Sequence, residues 1–500
     1  MPKHLYHFLI GAVLALLGCT TTALAQDQTP TVSPIVVNGD LPFEVNLSVQ
    51  DMGSADVPTL QSYALGQVGD DWVVVDGRTN GLHSFTNNGT INFPPADQNT
   101  EVWVINPVTG QTWSRSLTDA SAGLSTQQFN ALSATAPEFY QDNSTLYVAG
   151  GYLYDSSVDN FTTYDTLTAL NLPGIINWVQ NDAGTLAQNL LQTTSPNFQV
   201  TGGAMTQING LTLLSVGQDF EGPYTAAANG NYTDQIRTFN IVNTGSSLSI
   251  ANYSATTPDP NLRRRDLNVV PILQSDGHGG YVQSLSALSG VFYNGTGAWT
   301  VPVEISANGT TSMADPATNG TFKQGMNNYH SPVISLYDSA TDSTHSVILG
   351  GISLQYYDSG NSTFVTDEGL PFIDQSTDIV RTDTGNYTQY LLNSATYPTI
   401  TAPTNGQPWL FGAGAQFVPA SGLPMVDGMI DMGNITGPTL LGYVFGGIQA
   451  DAGDNGNSTA SNTIFDVYYT PVPEPAQAVW ALTAAGALVV VLSRRRTRTA

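Results

Sequence analysis

Short apolar runs that end in glycine recur along most of this 500-residue chain. The clearest is TLYVAGG at residues 145–151, where Leu, Tyr and Val precede a glycine doublet. Related runs lie at residues 72–78, 213–218, 345–351 and 442–447, and a weaker copy lies at residues 281–292. Runs of this length, rich in β-branched and aromatic residues and separated by glycine turns, are typical of strands. The pattern therefore predicts an all-β body.

These runs return at a roughly regular interval. Counting the weak copy near Ser289, their glycines are spaced by roughly 60 to 75 residues, with a longer final step. Another strand-like segment precedes each run, at residues 60–67, 137–140, 200–208, 266–273, 331–337 and 409–417. Units that repeat in this way bury their apolar faces on their neighbours. We therefore expect a β-propeller, most simply with six blades and alternatively with seven, whose inner strands line a central channel.

A second feature recurs with less regularity. In the first unit the glycine-ended strand is followed by EVWVINPVTGQTW at residues 101–113, which combines a strand, an Asn-Pro turn and Trp113. Trp178 and Trp299 have comparable places in later units. This order of a glycine-doublet strand, an aromatic strand with a turn, and a tryptophan resembles the kelch family. The resemblance implies a kelch-like propeller in which tryptophan fills the wedge between neighbouring sheets.

The N-terminal segment has the features of a secretory signal. Residues 1–25 contain a short basic start, an apolar stretch and the small-x-small site ALA at residues 23–25. LLGC at residues 16–19 offers an alternative, because it resembles a lipoprotein box with Cys19 as the lipidated residue. Residues 26–59 are interpreted as a linker that includes a ring-closing strand at residues 43–49, which would pair near residues 463–469.

The C-terminal segment, residues 471–500, contains VPEP at residues 472–475, an apolar stretch at residues 476–492 and a run of arginines. This arrangement closely resembles the PEP-CTERM sorting signal of Gram-negative bacteria. The resemblance implies that an exosortase-type enzyme recognises Pro473, Glu474 and Pro475 while a transmembrane helix at residues 476–492 holds the protein in the inner membrane. Processing would then release it to the cell surface or the biofilm matrix. The alternative is an ordinary membrane anchor with its positive end inside.

Between these ends, residues 60–470 form the predicted propeller, and their charge is strongly acidic. The chain has 39 acidic and 13 basic residues, and five of the basic residues lie in the terminal segments. A body with a charge of about −30 repels nucleic acid and anionic lipid, so neither is an expected partner. The single cysteine, Cys19, leaves the body without a disulfide or a thiol nucleophile. It also excludes copper chemistry that needs a tyrosine crosslinked to cysteine.

Two groups of residues are candidates for ligand binding. Arg78, Asn80 and His83 follow the first glycine-ended strand and should lie on a loop at one face of the propeller. Their side chains suit a carboxylate or a sugar hydroxyl, although Arg78 could equally pair with an acid while Asn80 forms a turn.

The second group consists of Arg265 and Asp266, within RRRD at residues 263–266, and His330. Each lies at the start of a predicted inner strand and could face the central channel. There a cationic cluster would attract anions such as uronates or sialates. The alternative is a solvated loop.

Other chemistry has weaker support in the sequence. Residues 451–457 place oxygen ligands at calcium-like spacing without the distal glutamate of a full loop, so calcium stays open and no other cofactor or metal is expected. No catalytic residue is assigned, because the histidines are scattered and the usual nucleophile motifs are absent.

The sequence therefore favours an exported surface or matrix protein over an enzyme. We expect this protein to bind a polysaccharide or another surface protein. A mutarotase- or lyase-like carbohydrate-active enzyme and a calcium-stabilised adhesin are the alternatives. The enzyme hypothesis requires Arg78, Arg265, Asp266 and His330 to converge in one polar pocket.

Overall fold

The computed structural model describes residues 32–472, apart from residues 227–229, 276, 277, 279, 294 and 455. Strands dominate the described residues, and they follow one another in six successive segments. Two strands come before the first segment: β1 (Val36–Val37) and β2 (Phe43–Val49).

The first three segments contain most of the helices. The first has β3 (Ala64–Val68), β4 (Asp71–Val75), α1 (Gly89–Asn92), β5 (Glu101–Asn106) and β6 (Gln111–Ser116). The second has α2 (Thr126–Ala131), β7 (Glu138–Asp142), β8 (Thr145–Ala149), β9 (Tyr152–Asp155), β10 (Asn160–Thr163), β11 (Thr166–Asn171), α3 (Leu172–Asn181) and β12 (Leu190–Thr194). The third has β13 (Ala204–Ile208), β14 (Leu211–Ser215), β15 (Gln218–Asp219), β16 (Asn231–Tyr232), β17 (Ile236–Asn243) and β18 (Leu248–Ala255).

The last three segments are formed by strands. The fourth has β19 (Val269–Ser275), β20 (Tyr281–Ala287), β21 (Val291–Tyr293), β22 (Thr296–Ala298), β23 (Val303–Ile305) and β24 (Thr311–Met313). The fifth has β25 (Val333–Asp338), β26 (Ser343–Ile348), β27 (Gly351–Ile352), β28 (Gln355–Asp358), β29 (Thr363–Thr366), β30 (Phe372–Ile373), β31 (Ser376–Arg381) and β32 (Tyr387–Leu392). The sixth has β33 (Gln416–Pro419), β34 (Met425–Val426), β35 (Met429–Asp431), β36 (Thr439–Phe445), β37 (Ile448–Ala450), β38 (Ser458–Ala460) and β39 (Ile464–Pro471). Short 3₁₀ turns lie at Pro95–Asp97, Ala187–Asn189, Pro196–Phe198, Pro260–Leu262 and Met432–Asn434.

The described strands form an all-β propeller with five four-stranded antiparallel blades. Their strand orders are β3-β4-β5-β6, β7-β8-β11-β12, β13-β14-β17-β18, β19-β20-β23-β24 and β33-β36-β39-β2. In the last blade the N-terminal strand β2 supplies the fourth strand, and it pairs with β39 residue by residue from Phe43↔Pro471 to Val49↔Phe465. A strand near each end of the described chain therefore lies in the same sheet.

The predicted count of six plain blades needs correction, because the fifth segment forms a larger sheet. Its four strands β25, β26, β31 and β32 pair in the same antiparallel order, but they belong to a seven-stranded sheet. β35 adds to β25 in parallel at one edge, and β1 adds to β32 in parallel at the other. Both added strands come from distant parts of the chain, so the pattern of apolar residues within the fifth segment could not predict them.

The blades are held together by apolar contacts on both of their faces. In β4, Val73 and Val75 pack towards the second blade, while Trp72 and Val74 pack towards the last one. This two-sided burial explains why the runs are continuously apolar and do not alternate with polar residues. Similar clusters fill the joints between the other neighbouring sheets.

Tryptophans contribute to these joints in part as the kelch resemblance implied. Trp299 is fully buried against the guanidinium of Arg264 and belongs to none of these apolar clusters. Trp113 is half-buried beside the joint of the first two blades. Trp178 is also fully buried there, but it lies on α3, an amphipathic helix of ten residues that the sequence did not predict. The helix begins directly after β11 and covers the strands of the first blade.

The recurring glycines are explained by hydrogen bonds between neighbouring segments. The last glycine of each run donates its backbone N–H to a carbonyl in the next segment. The six pairs are Gly77 to Ala134, Gly151 to Val200, Gly217 to Arg264, Gly290 to Asn328, Gly351 to Phe411 and Gly447 to Leu60, at 2.7–3.2 Å. All six glycines have a positive φ, between 81° and 108°. The recurring glycine is therefore the residue that joins one blade to the next.

No helix among residues 32–472 that the structure describes is both long and apolar enough to cross a membrane. The predicted signal segment at residues 1–25, the motif Pro473, Glu474 and Pro475, and the helix predicted at residues 476–492 lie outside the described residues.

A candidate ligand-binding pocket at the centre of the propeller

A closed ring of backbone hydrogen bonds lies at the start of the innermost strands. It has six members, one from each segment, and each donates its N–H to the carbonyl of the one before it. The members are Ser62, Ala136, Gly202, Asp266, His330 and Gly414, and the ring closes from Ser62 to Gly414, with N···O distances of 2.6–3.5 Å. The spacing of the repeats thus brings six distant positions to the axis of the propeller.

A pocket lies against this ring, with Ser62, Ala136, Gly202 and Asp266 among its lining residues. Its volume is about 620 Å³, including the part that is open to solvent. The walls come from the residues before the ring members and after the glycine doublets, together with two long loops of the first and third segments. We call it the axial pocket.

Arg265 and Asp266 form the charged centre of the axial pocket. The Nε of Arg265 lies 3.3 Å from Oδ2 of Asp266. One terminal nitrogen of Arg265 donates to Oε1 of Gln218 at 2.6 Å, and the other donates to the hydroxyl of Tyr224 at 3.4 Å. Burial raises the pKa of Asp266 above its ordinary value, although the guanidinium of Arg265 opposes that rise.

Arg78 is a second cation in the axial pocket, and it has no carboxylate partner among the described residues. Its Nη2 donates to the carbonyl of Gly81 at 2.8 Å, and its guanidinium lies 4.3 Å from the ring centre of Phe93. Its Nη1 is buried without a hydrogen-bond partner among the described residues. Burial lowers the pKa of Arg78 to about 10, so the side chain remains cationic at neutral pH. A buried cation with a free donor favours an anionic ligand.

Aromatic rings form one wall beside Arg78. His83 stacks on Phe93 with ring centres 4.9 Å apart and also contacts Tyr224 and Phe85, at 4.7 and 4.6 Å. Burial lowers the pKa of His83 to about 3, so its imidazole is neutral throughout the physiological range. His83 therefore contributes an aromatic surface to the pocket and does not contribute a charge.

Of the six binding residues predicted from the sequence, four line the axial pocket: Arg78, His83, Arg265 and Asp266. His330 belongs to the ring through its backbone only, and Asn80 bridges to Thr459 behind the pocket wall. The four residues named for the enzyme hypothesis therefore converge except for the side chain of His330.

Only one arginine of the RRRD segment reaches the pocket. Arg264 is fully buried against Trp299 and donates to the carbonyls of Asn261 and Ser289. Arg263 lies over the ring of Tyr232, 3.9 Å from its centre. Three consecutive residues point in different directions here, so the charge of the segment does not act as one cluster.

Sequence reasoning missed several pocket residues. Gln218 directly follows the glycine of the third run, in the place that Arg78 holds in the first, so the repeat itself could have indicated it. Phe93 and Tyr224 come from the two long loops, where no repeat signal exists.

A buried Ser–His–Asp arrangement lies elsewhere, in the seven-stranded sheet. Nδ1 of His345 is 2.7 Å from Oδ2 of Asp378, and the hydroxyl of Ser343 is 3.3 Å from Nε2. Ser343 and His345 are only 4% and 3% exposed, and Phe43 packs against the imidazole. No substrate could reach the serine, so we assign this arrangement to the core.

In the calcium-like loop at residues 451–457, the first carboxylate is hydrogen-bonded to other groups of the protein. Asp451 accepts hydrogen bonds from the backbone N–H and Nδ2 of Asn457 and from the hydroxyl of Thr404. Within the described part of the chain, no group of three or more His, Cys, Asp or Glu side chains could hold a metal ion.

Glu138 is a buried acid next to the ring, and it predicts a pH-dependent stability. Its Oε1 accepts from the N–H of Gly203 at 2.6 Å, and burial raises its pKa from 4.5 to about 8. Between these two values the folded state holds a proton that the unfolded state has lost. The free energy of unfolding should therefore fall as the pH rises through this window, by up to about 1.4 kcal/mol per pH unit, and level off above pH 8.

Glu138→Gln should remove this dependence, because glutamine keeps the acceptor for Gly203 and never ionises. Denaturant unfolding between pH 5 and 9 measures the effect, and the variant should be the more stable protein at pH 9. Glu44→Gln, at an exposed position, is the matched control and should keep the wild-type slope. An unchanged slope in Glu138→Gln would contradict the assignment.

Comparison with known proteins finds a likeness to solved structures. No family model and no curated protein matches the chain. The chain is similar to a solved structure titled "Structure of YjhT", with a TM-score of 0.41 and 10% sequence identity. The match covers 83% of this chain and 99% of that one.

Proposed function

We propose that this protein is an exported binding protein that holds an acidic sugar in its axial pocket. The observation that supports this proposal most directly is Arg78, a buried cation with a free donor and no carboxylate partner among the described residues. A ligand carboxylate would complete its hydrogen bonds. Hydroxyl groups of the same ligand would find acceptors and donors in Asp266, Gln218 and Gln61.

The charge balance agrees with an anionic ligand. Arg78 and Arg265 exceed Asp266 by one positive charge within the pocket, whereas the rest of the body is strongly acidic. Most of the acidic surface would repel a small anion, whereas Arg78 and Arg265 would attract it at close range.

The proposal includes a finer view of the fold and of the cellular location. We take the propeller as kelch-like and the seven-stranded sheet as its sixth blade, because the hydrogen-bonded ring has six members, one from each segment. We take the protein as exported and sorted to the cell surface or biofilm matrix, because of the signal-like segment at residues 1–25 and the PEP-CTERM-like segment at residues 471–500. An exosortase-type enzyme would be the processing partner.

Arg78→Gln tests the binding role. Calorimetry with galacturonate should give a measurable affinity for the full-length protein in mild detergent, whereas galactose should bind at least ten times more weakly. A hydrogen bond to a charged group contributes about 1.5–3 kcal/mol, so Arg78→Gln should weaken galacturonate binding by about 10- to 100-fold.

Arg115→Gln is the matched control for that experiment. Arg115 pairs with the exposed carboxylate of Asp182 and contacts Trp178, away from the axial pocket. This variant should bind like the wild type. Equal binding of galactose and galacturonate, or full affinity in Arg78→Gln, would overturn the proposed function.

A carbohydrate-active enzyme is the second candidate, since Asp266 and two arginines converge in one pocket. The carboxyl group of Asp266 lies beside Arg265, and burial raises its pKa, so it has the character of a general acid or base. NMR of a freshly dissolved sugar anomer distinguishes the two functions. An enzyme of the mutarotase type would accelerate anomer exchange, and Asp266→Asn would stop the exchange while the ligand still bound.

A further inference from the structure

We propose that the axial pocket recognises the terminal residue of an acidic polysaccharide, with the next residue of that chain lying along Phe85. This inference rests on the proposed function and adds the form of the ligand to it. Three features carry it: the narrow floor of the pocket, a series of aromatic rings that leads outward from it, and the charge of the surrounding surface.

The hydrogen-bonded ring forms the floor of the pocket and narrows the axis of the propeller. Adjacent members of a hydrogen-bonded ring are separated by about 4.8 Å, which puts opposite members of a six-membered ring about 10 Å apart between backbones. Once the van der Waals radii of the backbone atoms are subtracted, an opening of about 6 Å remains. Ser62 and Asp266 line the pocket at this ring. Beyond the ring, Ala64 and Glu138 are buried. We infer from the narrow ring and the buried residues behind it that the pocket is blind and admits a chain end or a free sugar.

Aromatic rings lead from the base of the pocket to the protein surface. Arg78 lies over Phe93, Phe93 stacks on His83, and His83 meets Phe85, with successive separations of 4.3, 4.9 and 4.6 Å. Phe85 is 55% exposed and is the outermost ring of this series. The series gives a second sugar residue an apolar surface that continues from the first.

The loop that carries Phe85 is held in place by the third segment. The N–H of Ala226 donates to the carbonyl of Thr86, and Nδ2 of Asn92 donates to the carbonyl of Tyr224. Asn92 also accepts the N–H of Thr86 through Oδ1. An exposed aromatic ring on a fixed loop binds without the entropy cost of ordering that loop.

Charge limits how far an acidic polymer can extend over this protein. Beyond the pocket, the body carries about 30 more negative than positive charges when the terminal segments are excluded. An acidic chain lying across the surface would be repelled along its length, whereas its end would reach Arg78 and Arg265. The physical arrangement therefore favours end recognition over binding along the chain.

A length series of oligogalacturonides tests this inference. Calorimetry on the full-length protein in mild detergent should show an affinity per chain that rises about tenfold from monomer to dimer and then stays level. The stoichiometry should remain one protein per chain at every length. A stoichiometry that grows with chain length would mean binding to internal residues and would overturn the inference.

Phe85→Ala separates the second subsite from the first. It should remove the gain from monomer to dimer, and the affinity for galacturonate should change by less than that gain. Tyr253→Ala, at an exposed aromatic on the outer strand of the third blade, is the matched control and should keep the gain. A Phe85→Ala variant that keeps the gain, or that loses monomer affinity equally, would contradict the second subsite.

The two proposals fail in different ways. If galacturonate binds and Arg78→Gln abolishes that binding while the length series shows internal binding, only end recognition is wrong. If no acidic monosaccharide binds, the proposed function fails and the inference fails with it.

Discussion

A chain that begins at Gln50 should fail to form the native propeller, whereas a chain that begins at Val32 should fold. The residues between these two starts provide β1 and β2, which complete the seven-stranded sheet and the last blade. They also bury Ile35, Phe43 and Val45, at 8%, 3% and 1% exposure. Each such side chain contributes about 1.5–3 kcal/mol by burial, so their combined loss approaches the roughly 5–15 kcal/mol that stabilises a typical domain.

Circular dichroism and urea unfolding of the two truncated chains measure this effect. The longer chain should show one cooperative transition, and the shorter one should show none, since it also leaves the edge of β39 unpaired. A synthetic peptide of residues 32–49 added in excess should restore part of the transition. Equal unfolding midpoints in both chains would contradict a closing role for β2.

Gly150→Ala should destabilise the protein by more than about 4 kcal/mol, because it disrupts the joint between the second and third blades. Gly150 has a φ of 68°, and a methyl group there would overlap the carbonyl oxygen of Val200. The same carbonyl accepts the N–H of Gly151 that links the two blades. The substitution therefore combines backbone strain with the loss of a connecting hydrogen bond.

Gly69→Ala is the matched control for this substitution. Gly69 has a φ of 59°, and no atom lies within 4 Å of the place that its methyl group would take. Alanine there should cost only the strain of the left-handed conformation, about 1–2 kcal/mol. Urea unfolding of the two variants separates the cost of backbone strain from the cost of the close approach between the blades. If both lost the same amount of stability, the close approach between the blades would play no part.

The candidate site could be predicted in part because it follows the repeat. Arg78 follows the glycine that ends the first run, and Asp266 lies three residues before the innermost strand β19. Any propeller brings these positions near its axis, so their convergence required no knowledge of individual contacts. His330 holds the place in the fifth segment that corresponds to Asp266, yet it contributes only its backbone to the ring. Its side-chain direction depends on the packing of its neighbours.

The sequence by itself determined the strand repeat, the all-β class and the glycines that join the blades, because each of these depends on residues close together in the chain. A continuous apolar run is buried on both faces, and a glycine is needed where the next blade approaches the backbone. Such requirements act locally and leave a visible pattern.

Only the tertiary structure decided the seven-stranded sheet, the helix that carries Trp178, and the aromatic wall formed by Phe93 and Tyr224. It also decided that Arg265 enters the pocket while Arg264 is buried under Trp299. These features arise where segments that are far apart in the chain pack against each other. Which of these contacts form depends on the arrangement of all the blades around the axis, and no stretch of a few residues encodes that arrangement.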